Sequence, residues 1–451
     1  MSSAVLNSAV LMSARRGLPS CVLLATALLA LACGSDDPAA DGPAPGNIQG
    51  NPPQPTGAQP PAGAAGVANS PPGVGAGGSG SSNEAPTSNV GLPNPPPVAS
   101  GGAGSTTGTP PLMTAGAGGT PTVTPPANVT ELFVSETGSD VNPGTRELPF
   151  ATLSRANTFA RPGMTIFVLP GTLRYATTML MSADGAQGQP INVFAADGAR
   201  PIVDFSGQPR GESSSRGIEL RGSFWHVKGL EVRNAGDNGI LISGSNNVVE
   251  NVILHGNGDT GLQILAPEVQ ATDPSRASNN LVLNCDSFEN FDPANNGENA
   301  DGFAAKLRVG PGNVFRGCRA WNNADDGWDF FAADDVVTIQ DSWAFLNGII
   351  AGGGNSAGDG NGFKLGGEPD GVGQGHSPHV VINGSAFANR ACGFTLNNNT
   401  EDAELSQCGV GGNEADFCDG ASCTGEFDVR VTGAQAINLP RNPDGSLPSI
   451  R

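Results

Sequence analysis

Six short stretches of this 451-residue chain place a large apolar residue directly after a glycine, with a short residue before it. They are DNGI with Gly239, DTGL with Gly261, ADGF with Gly302, DDGW with Gly327, NGF with Gly362 and ACGF with Gly393. Successive glycines are 22, 41, 25, 35 and 31 residues apart. Intervals of 22 to 25 suit one turn of a solenoid, and the longer ones suit a turn carrying an inserted loop. A second column runs in phase with the first. Phe288, Trp321, Phe345 and Phe387 are each followed two positions later by an asparagine: Asn290, Asn323, Asn347 and Asn389. The strands before them (NLVLN, NVFRG, VVTIQ, HVVIN) are short and apolar. An antiparallel sandwich with turn glycines is the alternative. Two columns in phase favour an all-β chain wound as a parallel β-helix, with asparagine side chains bonding along the stack at one corner.

The solenoid domain is expected over residues 128–451. Its first segment reads strand, turn, helix, strand, with helical spacing from Thr152 to Ala160 stopped by Pro162-Gly163, then the strand TIFVL. This segment resembles the N-terminal cap of bacterial right-handed β-helix proteins. Residues 34–127 are Pro, Gly, Ala, Ser and Thr with few large apolar groups, and are expected to be a disordered tether. Residues 1–33 read as an export signal: Arg15 and Arg16, then an apolar run too short to span a bilayer. The run ends at ALAC, which resembles a bacterial lipoprotein signal with Cys33 as the lipidated residue; cleavage as an ordinary signal peptide is the alternative. Either way an extracellular or cell-envelope location is expected, with membrane contact only through a lipid anchor. Six of the eight cysteines then remain, and Cys408, Cys418 and Cys423 crowd a segment where a disulfide is expected, in pairs the sequence leaves open. A formal charge of −20 argues against nucleic acid as a partner.

The repeat places the acidic residues in space. Stacked turns lie about 4.8 Å apart, so residues of one column are near neighbours. Phe303, Trp328, Phe363 and Phe394 point inward, and alternation turns Ala304, Asp329, Lys364 and Thr395 outward. Before the glycine, Asp301 stacks on Asp326, with Asp325 beside it and Asp329 on the same edge. A solvated acidic turn is the plain reading of the stretch NADDGWDFF alone. Four carboxylates brought to one patch favour a hard cation. Oxygen donors without Cys or His point to Ca²⁺.

The stretch ENADGFAAKLRVGPGNVFRGCRAWNNADDGWDFF, followed by GDGNGFKLGG, resembles polysaccharide lyase family 9, the pectate lyases on a right-handed β-helix. That resemblance implies Ca²⁺ held by Asp301, Asp325, Asp326 and Asp329, with Lys364 as the catalytic base. It implies β-elimination on an acidic polysaccharide such as polygalacturonate: removal of the C5 proton, alpha to a carboxylate, and expulsion of the C4 oxygen. A neutral lysine is required, so calcium dependence and an alkaline optimum are expected. Lys306 and Arg308, read as alternating outward after Phe303, are candidates for holding substrate carboxylates.

His376 and His379 lack further N or S ligands nearby, so a metal role is not expected for them. AGGGNSAGDG occurs once, whereas calcium-binding nonapeptides repeat, and GVGAGGSGSS lacks the Lys-Ser/Thr of a P-loop. The rival functions are a non-catalytic calcium-binding adhesin or glycan-binding module, and a lyase for a different acidic polymer. Lys364 speaks against the module, which needs no base in that column. The stretch 267–297 is the expected determinant of substrate choice, and a monomer is expected.

Overall fold

The computed structural model describes Pro125 and residues 128–266, 277–350, 352–367 and 376–451; the export signal, Cys33 and nearly all of the proposed tether lie outside the described residues. Among the described residues the strands form three parallel sheets of ten, ten and nine strands, each strand pairing with those one turn before and after. The first sheet runs from Glu131–Val134 to Glu404–Ser406, the second from Thr172–Arg174 to Phe427–Asp428, and the third from Met179–Met181 to Ala415–Cys418. A representative turn is Asn313–Arg316, Arg319–Trp321 and Trp328–Asp329. The expected parallel β-helix is the observed architecture.

The columns of the third sheet have the expected register. Phe303 pairs with Trp328, Trp328 with Phe363 and Phe363 with Phe394, while Ala304, Asp329, Lys364 and Thr395 form the adjacent column. The inward rings stack at centroid separations of 5.0, 4.9 and 4.9 Å and are fully buried. Burial of each such ring contributes roughly 1.5–3 kcal/mol, before packing terms.

The asparagine corner is a continuous ladder, longer at both ends than the four residues read from sequence. Nδ2 of each residue donates to Oδ1 of the next from Asn257 through Asn290, Asn323, Asn347 and Asn389 to Asn413, at 2.8 to 3.1 Å. This explains the glycine column. A Cβ on Gly327 would lie 2.5 Å from the Gly362 carbonyl oxygen and 2.9 Å from Asn347 Nδ2. Ladder and neighbouring turn together leave no room for a side chain there.

The second aromatic column faces out of the barrel. Phe288, Trp321, Phe345 and Phe387 stack at 4.4, 5.7 and 5.0 Å in a cluster separate from the main core, covered by C-terminal residues including Ala436 and Ile450. The entry helix is shorter than expected, Leu153–Asn157, with Thr152 Oγ1 accepting from Arg155 N as its cap. Leu153 and Ala156 are its buried residues, and it packs on the first strands of the first and third sheets. Two disulfides form, Cys392–Cys418 and Cys408–Cys423, so the crowded C-terminal cysteines are bonded and Cys392 supplies the fourth sulfur. Cys285 and Cys318 are buried thiols.

Candidate metal and catalytic site

The ladder positions the site. Two residues beyond Asn323 the chain reaches Asp325 and Asp326, then Gly327 and the strand Trp328–Asp329. Asp325 N donates to Ala300 O at 3.0 Å and Asp326 N to Asp301 Oδ1 at 3.2 Å, tying two successive turns together. Further hydrogen bonds orient each carboxylate. Asp301 Oδ2 accepts from Thr260 Oγ1 (3.1 Å), Asp325 Oδ1 from Asp359 N (2.5 Å), Asp326 Oδ1 from Asn361 N (2.6 Å) and Asp329 Oδ1 from Phe331 N (3.0 Å).

Among the described residues, Asp301, Asp325 and Asp326 form the one group of three or more potential ligands, each offering an oxygen within 4.8 Å of the others. All three are buried, at 2% exposure or less. Asp329, expected in the same set, is equally buried but lies between two ammonium groups. Its Oδ2 is 2.7 Å from Lys306 Nζ and 3.6 Å from Lys364 Nζ. Lys306 Nζ also lies 3.0 Å from Asp301 Oδ2. Lys364 Nζ lies 3.6 Å from Asp326 Oδ2 and 3.2 Å from Asp359 Oδ2.

The electrostatics divide the four aspartates. Burial pushes the Asp301 carboxyl up to about 7 against the opposing pull of Lys306. Burial and then neighbouring carboxylates push Asp325 well above its ordinary value; burial does the same to Asp326 despite Lys364. Burial also works against ionised Asp329, but Lys306 and Lys364 outweigh it and hold that carboxyl below the usual range. Burial opposes the charge of Lys364 as well, yet Asp329, Asp326, Asp325 and Asp359 keep its ammonium well above the ordinary lysine value.

These residues fit a divalent hard cation. The donors are all carboxylate oxygens held by backbone N–H groups, and buried Asp326 Oδ2 accepts no hydrogen bond. The four buried carboxylates facing two ammonium groups leave two negative charges when all are ionised, and the exposed Asp359 adds a third at the edge, an excess that favours a divalent cation.

A family model for the right-handed β-helix region of Pel9A-like proteins matches residues 132–422. The chain belongs to the Pel9A-like β-helix family. This agrees with the resemblance to polysaccharide lyase family 9 in its motifs. Pectate lyase L of Paenibacillus polymyxa is 44% identical over 277 residues, 60% of each chain. Pectate lyase L of Dickeya chrysanthemi is 39% identical over 275 residues, 59% of this chain and 61% of that one. The alignments thus span about three fifths of these relatives' length. The crystal structure of pectate lyase Pel9A superposes with a TM-score of 0.59 at 31% identity, covering 72% of this chain and 89% of that one. A rhamnogalacturonan lyase shares the fold at 24% identity, with a TM-score of 0.60 over 71% of this chain and 95% of its own.

One placement differs from simple alternation. The strand Phe303–Lys306 keeps Lys306 on the outward face, but Leu307 and Arg308 adopt φ of 53° and 67°, so Arg308 leaves the strand rather than continuing it. His379 is buried, its Nδ1 accepting from Val337 N at 3.2 Å, and takes part in no metal group among the described residues. Sequence reasoning missed Asp359 and Thr260. Asp359 sits in the GDGNGFK stretch, five residues before Lys364, where its carboxylate was visible but its loop geometry was not. Thr260 occupies the column of Asp301 and Asp326, one turn earlier, and could have been found by extending that column.

Proposed function

We propose that this protein is a calcium-dependent pectate lyase, cleaving polygalacturonate or a closely related uronate polymer by β-elimination, with Lys364 as the base. The observation that carries the reading is Lys364 in register with Asp329, on the turn next to a buried three-aspartate nest. Asp301, Asp325 and Asp326, with Asp329 at their edge, would hold the cation. When bound, Ca²⁺ supplies positive charge for a substrate carboxylate as negative charge develops on it.

Lys364 Nζ, as the neutral amine, accepts the C5 proton. The electrons of that C–H bond form the C4–C5 double bond as the C4–O4 bond breaks, and the departing oxygen takes a proton from water. Asp326 and Asp329 aim the amine, and Asp359 reaches it from a more exposed position, with 61% of its side chain exposed. Arg308, just past the end of its strand, is the proposed holder of a further substrate carboxylate. Cys33 as a lipid anchor outside the cytoplasm completes the proposal; labelled palmitate on wild type but not on Cys33→Ala tests that part.

Ultraviolet absorbance of the unsaturated uronide, with polygalacturonate at alkaline pH, tests the activity. A rise that chelator abolishes and Lys364→Ala lacks supports it. No rise on any uronate polymer from folded protein with Ca²⁺ bound would favour the binding module instead.

A further inference from the structure

The two lysines of the site are held differently. Lys306 is the last residue of its strand and 6% exposed, with its ammonium 2.7 and 3.0 Å from carboxylates on two successive turns. Lys364 makes longer contacts of 3.6 Å to Asp326 and Asp329, and its shortest, 3.2 Å, is to the exposed side chain of Asp359. Lys306 is therefore locked, whereas Lys364 has a partner that can move away.

We propose that Lys306 is a positioning residue, a resident cation that holds Asp301 and Asp329 in place without metal and limits how tightly the nest binds calcium. This rests on the calcium-dependent reading above and assigns Lys306 to the metal site rather than to substrate. The charge balance gives the sign. Counting the four buried carboxylates and the two ammonium groups, and leaving aside the solvent-screened Asp359, the site carries two net negative charges; without the Lys306 charge it carries three. A divalent cation is attracted more strongly to the second arrangement, and the low-dielectric surroundings enlarge the difference. The same change leaves Asp301 and Asp329 facing each other with only the longer contact of Asp329 to Lys364 to offset them when no metal is bound, so the metal-free protein loses stability.

Calcium titration calorimetry on the chelator-stripped full chain tests this, with thermal unfolding in chelator and in saturating calcium as a second readout. Lys306→Met is expected to bind calcium roughly tenfold more tightly than wild type, while Lys306→Arg stays close to it. The melting temperature of Lys306→Met should fall further below wild type in chelator than in calcium. Should that variant not fold, Lys306→Gln, which keeps a donor but no charge, has the same expected outcomes. Equal or weaker calcium binding by the neutral variant would overturn the proposal. Folded wild type that binds no calcium would instead overturn the reading on which it rests.

Discussion

Lys364 follows Asp329 in one outward column, one turn on, and its Nζ lies 3.6 Å from the Asp329 carboxylate. A lysine in such company is held as the ammonium, because the carboxylates around it stabilise the charge despite burial. Its neutral fraction grows only as pH rises, or as a bound cation offsets those carboxylates. The elimination rate with calcium is therefore expected to climb into the alkaline range. Lys364→Ala should lose about 10²- to 10⁴-fold in rate, and Lys364→Arg should not recover it, since a guanidinium does not deprotonate. Initial rates against pH, read as uronide absorbance, check both.

Calcium should stabilise the protein more at pH 8 than at pH 5. The folded-state pKa of Asp301 is raised by burial to about 7, and Asp325 and Asp326 move the same way. A carboxyl raised in the folded state contributes stability that is present below its unfolded value of about 3.9 and is lost as pH rises through the folded value. Metal-free protein thus weakens between about pH 4 and 7, and binding calcium to the ionised carboxylates reverses that loss. Melting temperatures in chelator and in calcium at the two pH values measure it. An equal calcium gain at both would contradict the assignment of these aspartates.

The parts of this fold that repeat were legible in the sequence. Phe303, Trp328, Phe363 and Phe394 could be aligned because each follows a glycine that the ladder and the next turn leave without room for a Cβ. Register then placed Asp301, Asp326, Asp329 and Lys364 without further information. What the repeat does not encode was not legible. The left-handed φ of Leu307 and Arg308 ends a strand that alternation would have continued. Asp359 reaches Lys364 from a loop whose path depends on contacts far apart in sequence, such as Ala357 N to Asn296 O. The pairing of Lys306 with Asp301 and Asp329 was not legible either, because strand parity shows which face a residue takes, not which neighbour its side chain meets there.

The C-terminal segment should be a structural strap, and Asp286 is its fastening. This carboxylate accepts from Arg319 Nε and Nη2 at 2.8 Å each and from Arg441 Nη2 at 2.5 Å. Arg319 Nη1 also donates to Leu439 O at 3.0 Å, and the segment covers Trp321, Trp343 and Phe345. Asp286→Ala leaves two largely buried guanidinium groups without their carboxylate, which costs about 3–5 kcal/mol. Urea unfolding should show that loss, with tryptophan emission shifting to the red as the aromatic column gains water. The proposed lyase activity should survive in the absence of denaturant, because Lys364 and the aspartate nest belong to the third sheet and its preceding corner.

Asn323 sits in the middle of the ladder, and its removal should cost more than an ordinary surface asparagine. Its Oδ1 accepts from Asn290 Nδ2 at 2.8 Å, and its Nδ2 donates to Asn347 Oδ1 at 3.1 Å and Ser287 O at 3.2 Å. Asn323→Ala strips a partner from buried groups on both adjacent turns. Asn290 Nδ2 keeps its bond to Ser287 Oγ and Asn347 Oδ1 keeps the one from Asn323 N, so the cost is that of the lost hydrogen bonds, about 0.5–1.5 kcal/mol each and roughly 1.5–4 kcal/mol in all. Because Asp325 and Asp326 follow directly, the variant should also bind calcium more weakly, whereas Asn257→Ala, at the ladder's N-terminal end, should lose stability with little change in calcium binding. Comparing the two by urea unfolding and calcium titration separates ladder stability from site geometry. Equal calcium affinities would show that the Asp325–Asp326 corner is held without the ladder.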